Sequence, residues 1–295
     1  MSLIKRLLAS SKHPYIEGLD NPDYLETNLS GNSFSISVPC HSSETREVKI
    51  QTNINIYDTT AYADLTKTRT IEYRKEQLNY LTILQRSSNV YGVVWRDTYL
   101  CAVDCFVFVM DAAPFGDGVS CFAPEQFEAI TLHDTYHAVG PGGVGNQHIT
   151  PINWKIRTIN AVKWIEYEAH PDQEKYKNSG NISGGKGLRK YLFTPLDDNK
   201  YLTVKFLSYG YSPKEYCFPF LRGVMDSITS TLDLTLTDSM LLRQQQVLEL
   251  CDQKTYSATR DPEPWVYHKL DSDDNILKRG SPPPSIPLIK NLYHS

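Results

Sequence analysis

The densest group of residues able to do chemistry is Leu132-His-Asp-Thr-Tyr-His137, followed by His148. His133 and His137 are four positions apart, so a helix would carry both imidazoles on one face. His148 or Asp134 could then supply a third ligand and close a metal site, the requirement of a metal-dependent hydrolase. The zinc-protease pattern places a glutamate directly after the first histidine, and here that position is Asp134. The plain structural alternative is a set of histidines in a solvated loop and at a helix end.

Other groups are weaker. Val139-Gly-Pro-Gly-Gly-Val-Gly145 and Ser183-Gly-Gly-Lys-Gly187 are rich in glycine, but neither has the Gly-Lys-Ser/Thr that opens a helix under a phosphate. Both read as turns, and no cofactor is indicated. No Gly-x-Ser-x-Gly elbow is present. Cys121 could pair with His133 or His137 as thiol and base. Asp104 and Asp111 could act as paired carboxylates. Asp104 lies in an apolar run, where alternation could turn it to solvent because Val103 and Cys105 point the other way. No catalytic assignment follows.

The elements that must position these residues can be read from periodicity. Phe34, Ile36 and Val38 alternate in a strand stopped by Pro39, and Val48 to Tyr57 repeats the pattern, so the two runs form an expected hairpin. Helical spacing is expected from about Glu72 to Arg86. Val90–Arg96 and Tyr99–Met110 read as two strands around Arg96-Asp97-Thr98, the second covered on both faces. Pro124 opens a helix, with Glu125 and Glu128 near the positive end of its dipole. Trp154–Glu168 reads as a hairpin turned at Ile159-Asn160-Ala161. Lys190–Phe193 and Tyr201–Ser208 read as another across Asp197–Lys200. Phe218–Leu232 and Ser239–Gln253 are helical, and Trp265–Leu270 with Asn275–Lys278 makes a small hairpin. The prolines from Pro282 to Pro287 impose extended, polyproline-like chain.

Short turns between successive strands, with helices occurring singly, point to an α+β fold with a mainly antiparallel sheet. The expected organisation is an N-terminal helix and arm (1–30), a main α+β domain (31–236), a helix and hairpin extension packed on it (237–280) and a proline-rich tail (281–295). That tail could serve as a ligand for a partner or lie across its own domain.

Composition limits the function. The 295 residues carry a net charge of -4 with both signs mixed, and the short basic runs at Lys5-Arg6, Lys186 to Lys190 and Lys278-Arg279 lack interleaved aromatics. A nucleic-acid partner is therefore not expected. Nineteen Tyr against ten Phe fit a half-wet antiparallel sheet and also a recognition surface. Six cysteines without a Cys-x-x-Cys pair suit a reducing, cytoplasmic setting. No run approaches the roughly 20 apolar residues of a membrane span. The basic N-terminal dozen could at most touch a membrane surface.

Asn32-Ser-Phe-Ser-Ile-Ser-Val-Pro39 resembles the opening strand of Mog1/PsbP-like proteins. Thr158-Ile-Asn-Ala-Val-Lys-Trp164 resembles their middle hairpin. Lys200-Tyr-Leu-Thr-Val-Lys-Phe206, with Met225-Asp-Ser-Ile-Thr-Ser-Thr-Leu232, resembles their closing strand and C-terminal helix. The resemblance covers residues 30–235 in patches and implies a curved antiparallel sheet flanked by helices. It also implies a non-enzymatic protein-binding role of bacterial immunity or adaptor type, with a toxin or secretion-associated protein as partner. The alternatives are the metal-dependent hydrolase built on His133, His137 and His148, and a structural subunit of a homo-oligomer.

Overall fold

The computed structural model describes residues 2–42, 48–62, 79–93, 99–142, 148–171, 187–209, 214–267, 269–270 and 276–289. In chain order the elements are α1 (Ser2–Leu7), β1 (Tyr15–Ile16), β2 (Asp23–Leu29), β3 (Asn32–Val38), β4 (Lys49–Ile50), β5 (Asn53–Ile54), β6 (Tyr80–Tyr91) and β7 (Tyr99–Asp111). Then come α2 (Pro124–Val139), β8 (Ile152–Ile159), β9 (Val162–Ala169), β10 (Arg189–Pro195), β11 (Lys200–Tyr209), α3 (Lys214–Thr229), β12 (Asp233–Thr235), α4 (Asp238–Leu250), β13 (Lys269–Leu270) and β14 (Ile276–Lys278).

The main sheet runs β1-β6-β7-β11-β10-β9-β8, with β4 also on β6, and all its pairs are antiparallel. The fold is thus α+β with a mainly antiparallel sheet. Local chemistry explains its hairpins. Asn160 and Ala161 both take positive φ between β8 and β9, the turn whose twist matches its strands. Asn160 also donates its side-chain amide to the Leu232 carbonyl at 3.1 Å. Between β10 and β11, Asp197 accepts the backbone N–H groups of Asn199 and Lys200.

Alternation gives the sheet two different faces. Val103, Cys105, Val107 and Val109 of β7 join Leu202, Val204 and Phe206 of β11 and Leu221, Val224 and Met225 of α3 in one core. The opposite face carries Met110, Tyr167, Tyr191, Phe193 and Tyr201, packed against Phe127 and Ile130 of α2. A second sheet, β12-β3-β2-β5, adds Phe34, Ile36 and Leu234 to the α3 side. An ionic network also ties α3 down. Glu166 contacts Lys190 at 3.1 Å and Arg157 at 2.6 Å, and Asp226 of α3 contacts the same two cations at 2.8 Å each.

Several expectations are corrected. β3 pairs with β2 and β12, not with 48–57; β4 goes to β6, and β5 runs parallel to β2. The 1–30 segment therefore contributes a sheet strand as well as a helix and arm. The helical spacing read up to Arg86 ends in strand β6 from Tyr80; its earlier part lies outside the described residues. So do the turn at residues 96–98 and residues 183–186 of the Ser183–Gly187 loop. Asp104 does not face solvent: it is fully buried.

Residues 251–267 and 276–289 cross the outer side of α2 as the two limbs of an extended strap, with β13 and β14 paired beside them. Gln126 donates to the carbonyls of Gly118 and Pro287 at 2.7 and 2.6 Å. Glu128 accepts the Ser257 backbone N–H and, at 3.0 Å, its hydroxyl. Tyr136 donates to the Ser281 carbonyl at 2.7 Å. With the sheet below and the strap above, nearly all of α2 is buried.

Candidate functional site

α2 does bring His133 and His137 together: one helical turn apart, their ring centroids are 4.6 Å from each other. The edge of Phe115 meets the His133 ring at 4.9 Å. The turn after the helix closes on His137 so tightly that a Cβ on Gly142 would come within 2.6 Å of its Nδ1, so only glycine fits there. Burial, and secondarily His133, push the His137 pKa down to about 3, so its ring is neutral at neutral pH. His148 lies beyond the break after α2. Its backbone N–H goes to the Tyr267 hydroxyl at 2.7 Å, and it bridges to Pro171. Among the described residues no group of three His, Cys, Asp or Glu is placed to hold a metal ion.

The other groups read from the sequence separate as well. Cys121 is fully buried, and burial, with Asp197, Asp198 and Asp111 around it, raises its pKa far above the thiol range. It offers no thiolate nucleophile. Asp104 and Asp111 are seven positions apart on a strand of unbroken register, so they face opposite sides of the sheet. Asp111 pairs with Lys200 at 2.7 Å, while Asp104 accepts a hydrogen bond from Ser87. Of the basic runs, Lys5, Arg6 and Lys190 are occupied, and Lys186 lies outside the described residues. Lys5 pairs with Asp20, Arg6 donates to the Gly92 carbonyl at 2.8 Å, and Lys190 sits in the Glu166 network. No helix among the described residues is long and apolar enough to cross a membrane.

One constellation escaped the sequence reading. Tyr201, Thr203 and Lys205 occupy alternate positions of β11, on the face beneath α2. Register puts Phe106 of β7 on one side of Lys205 and Tyr191 of β10 on the other. The Lys205 Nζ lies 5.8 Å and 5.9 Å from those two ring centroids. Burial and Arg189 lower the Lys205 pKa to about 8, against Asp134 and Asp104, which raise it. Asp134, on the sheet side of α2, is pushed up to about 6 by burial; Lys205 and the Tyr201 hydroxyl draw it back. An acid and a base whose pKa values converge on neutrality mark a place where environment has been shaped around charge. The Thr203 hydroxyl is buried there, and the Tyr201 hydroxyl, equally buried, acts on Asp134. The readable signal was the strand alternation, which set a tyrosine, a threonine and a lysine on the face opposite Leu202, Val204 and Phe206.

A second feature is a groove of about 440 Å³ between the two limbs of the strap, floored by Ala129 and Leu132 of α2. Trp154, Trp265, Arg260, Glu263 and two proline runs line it. The Arg260 guanidinium lies 5.9 Å from the Trp154 ring. Trp154 is held by its indole N–H, which donates to the Ser257 carbonyl at 2.9 Å. Val266 and Leu288 of the same strap are more than half exposed.

Compared with family models, with curated proteins and with solved structures, the chain matches none.

Proposed function

We propose that the chain is a non-enzymatic protein-binding protein of immunity or adaptor type, and that the strap groove is where its partner docks. The observation that carries this reading is the groove itself. Tryptophan and arginine are the side chains that most often dominate protein interfaces. Here Trp154, Trp265 and Arg260 stand around one concavity, and Val266 and Leu288 lie exposed on its strap. The walls are already extended chain pinned to α2, so little conformational freedom remains to be lost on docking. The finer assignment to a Mog1/PsbP-like fold is supported by the antiparallel sheet lying between α2 on one face and α3 on the other. A toxin or secretion-associated protein is the partner class that goes with that assignment.

The test is capture from the native host, followed by reconstitution of the purified pair. Arg260→Ala combined with Val266→Asp leaves the sheet untouched and is expected to weaken the pair by at least about tenfold. A partner that binds both forms equally would move the interface elsewhere. Failure to recover any saturable partner would overturn the reading.

A further inference from the structure

We infer that a second cavity, beneath α4, is a binding site for a small amphipathic carboxylate, a molecule with an apolar body and one anionic end. The cavity has a volume of about 260 Å³ and shares no lining residue with the strap groove. Leu241, Gln244 and Leu248 line it from α4, and their spacing puts all three on one face of that helix. Buried Phe122 and Pro195 stand among the facing residues, with Lys163 of β9 and Lys254 beyond the helix. The walls are pinned. Arg243 of α4 pairs with Asp198 of the β10–β11 turn at 2.7 Å. Val247 and Cys251 pack in one cluster with Phe122. Asn160 ties the β8–β9 turn to the Leu232 carbonyl, ahead of β12. The helix and the two turns are therefore fixed relative to one another, and the cavity exists before any ligand arrives.

These residues select the ligand. The lining is mostly apolar, and Leu241 is left 49% exposed on it. An apolar body seated there removes that surface from water. Lys163 and Lys254 are the cationic members of the lining, and no lining residue is acidic. Both lysines are exposed, and neither ammonium takes part in an ion pair among the described residues. Asp252 and Glu125, which act with Lys254 on Cys251, are outside the lining. A cation would therefore meet two ammonium groups, and a neutral apolar molecule would gain nothing from them. The volume falls just below the roughly 300–1,000 Å³ of sites for drug-sized molecules, so the ligand is small. A monocarboxylate with an aliphatic chain of medium length meets all three conditions.

Octanoate is titrated into the full chain below its micellar concentration and followed by calorimetry, with butanoate, hexanoate, octan-1-ol and octylamine as comparisons. Octanoate is expected to fill a single saturable site. Along the acid series each further buried methylene should tighten binding about three- to fourfold. Octan-1-ol and octylamine should bind at least about tenfold more weakly than octanoate, since neither gives the ammonium groups an anion. Lys163→Gln with Lys254→Gln alters two exposed side chains and is checked for folding by circular dichroism. It should weaken octanoate by at least about tenfold and leave octan-1-ol unchanged. Leu241→Asp, at an exposed helical position, should weaken both molecules. Octylamine binding as tightly as octanoate would overturn the proposal. So would the absence of saturable octanoate binding, an affinity indifferent to chain length, or an octanoate affinity unchanged in the lysine variant.

Discussion

Lys205 shows how a single position can hold a strand's alternation and its chemistry in conflict. The face it occupies also carries Tyr201, Thr203 and Leu207, and the middle of the opposite face is apolar, with Leu202, Val204 and Phe206. Its ammonium is lowered from 10.5 to about 8, first by burial and then by Arg189. Between those values the unfolded chain keeps a proton that the folded chain has released. Stability contributed by this group therefore rises with pH across the window, from about 8 upward, and is absent below it. Lys205→Met removes the rise. Urea midpoints at pH 7.5 and pH 9.5 should separate for the native chain relative to the variant, with the native chain gaining at the higher pH. Parallel behaviour of the two proteins would return Lys205 to an ordinary solvated lysine. Asp104, Asp134 and Arg189 face the same ammonium and remain in both proteins, so the comparison isolates the lysine.

At the scale of elements, α2 and the strap are one unit. Gln126 and Glu128 are almost completely buried although they lie on the side of the helix away from the sheet, because the strap covers them. Glu128→Ala removes the acceptor of the Ser257 N–H and hydroxyl, at a cost of about 1–3 kcal/mol. That cost falls on the strap, so limited proteolysis between residues 253 and 266 should accelerate while the sheet's secondary structure is kept. An unchanged cleavage rate would show that the strap is held by its other contacts. The sequence made half of this unit visible. Pro124 announced the helix and the later prolines announced extended chain. Glu128, however, reads equally well as a dipole-complementing surface residue, as Glu125 in fact is; nothing local tells the two apart. The β8–β9 and β10–β11 hairpins were legible because their turns carry their own signals in Asn160 and Asp197. The β2–β3 pairing was not, because Asp23–Leu29 is mostly polar and buries only Thr27 and Leu29. The tempting alternation of 48–57 belongs to two short strands that join different sheets. The histidine pair was foreseeable from its four-residue spacing. The Lys205 group was not, since it needs register across three strands.

The whole molecule is a main sheet with unlike coverings, and the question at this scale is whether they melt together. α3 is the connecting piece. Leu221, Val224 and Met225 share one core with β7 and β11 of the main sheet and with Phe34 and Ile36 of the smaller one. The hydroxyl of Thr231, just past α3, accepts the Ser37 N–H at 2.9 Å, and the Thr237 N–H donates to the Asn32 side chain at 2.9 Å. α2 and the strap reach that core through the strands, whose residues alternate between the two faces, and through Leu236, which also packs against the cluster of Phe122, Val247 and Cys251. A cavity under α3 must then be felt on the far side of the sheet. Leu221→Ala, at a fully buried position, should cost about 2–5 kcal/mol. If the coverings form one cooperative structure, native-state hydrogen exchange will show the slowest amides of β3, β11 and α2 losing protection by the same amount. Protection lost in β3 and β11 but kept in α2 would divide the protein into two units, with the strap and its groove riding on the more independent one. Equal loss instead makes the groove's shape answerable to packing on the opposite face of the sheet.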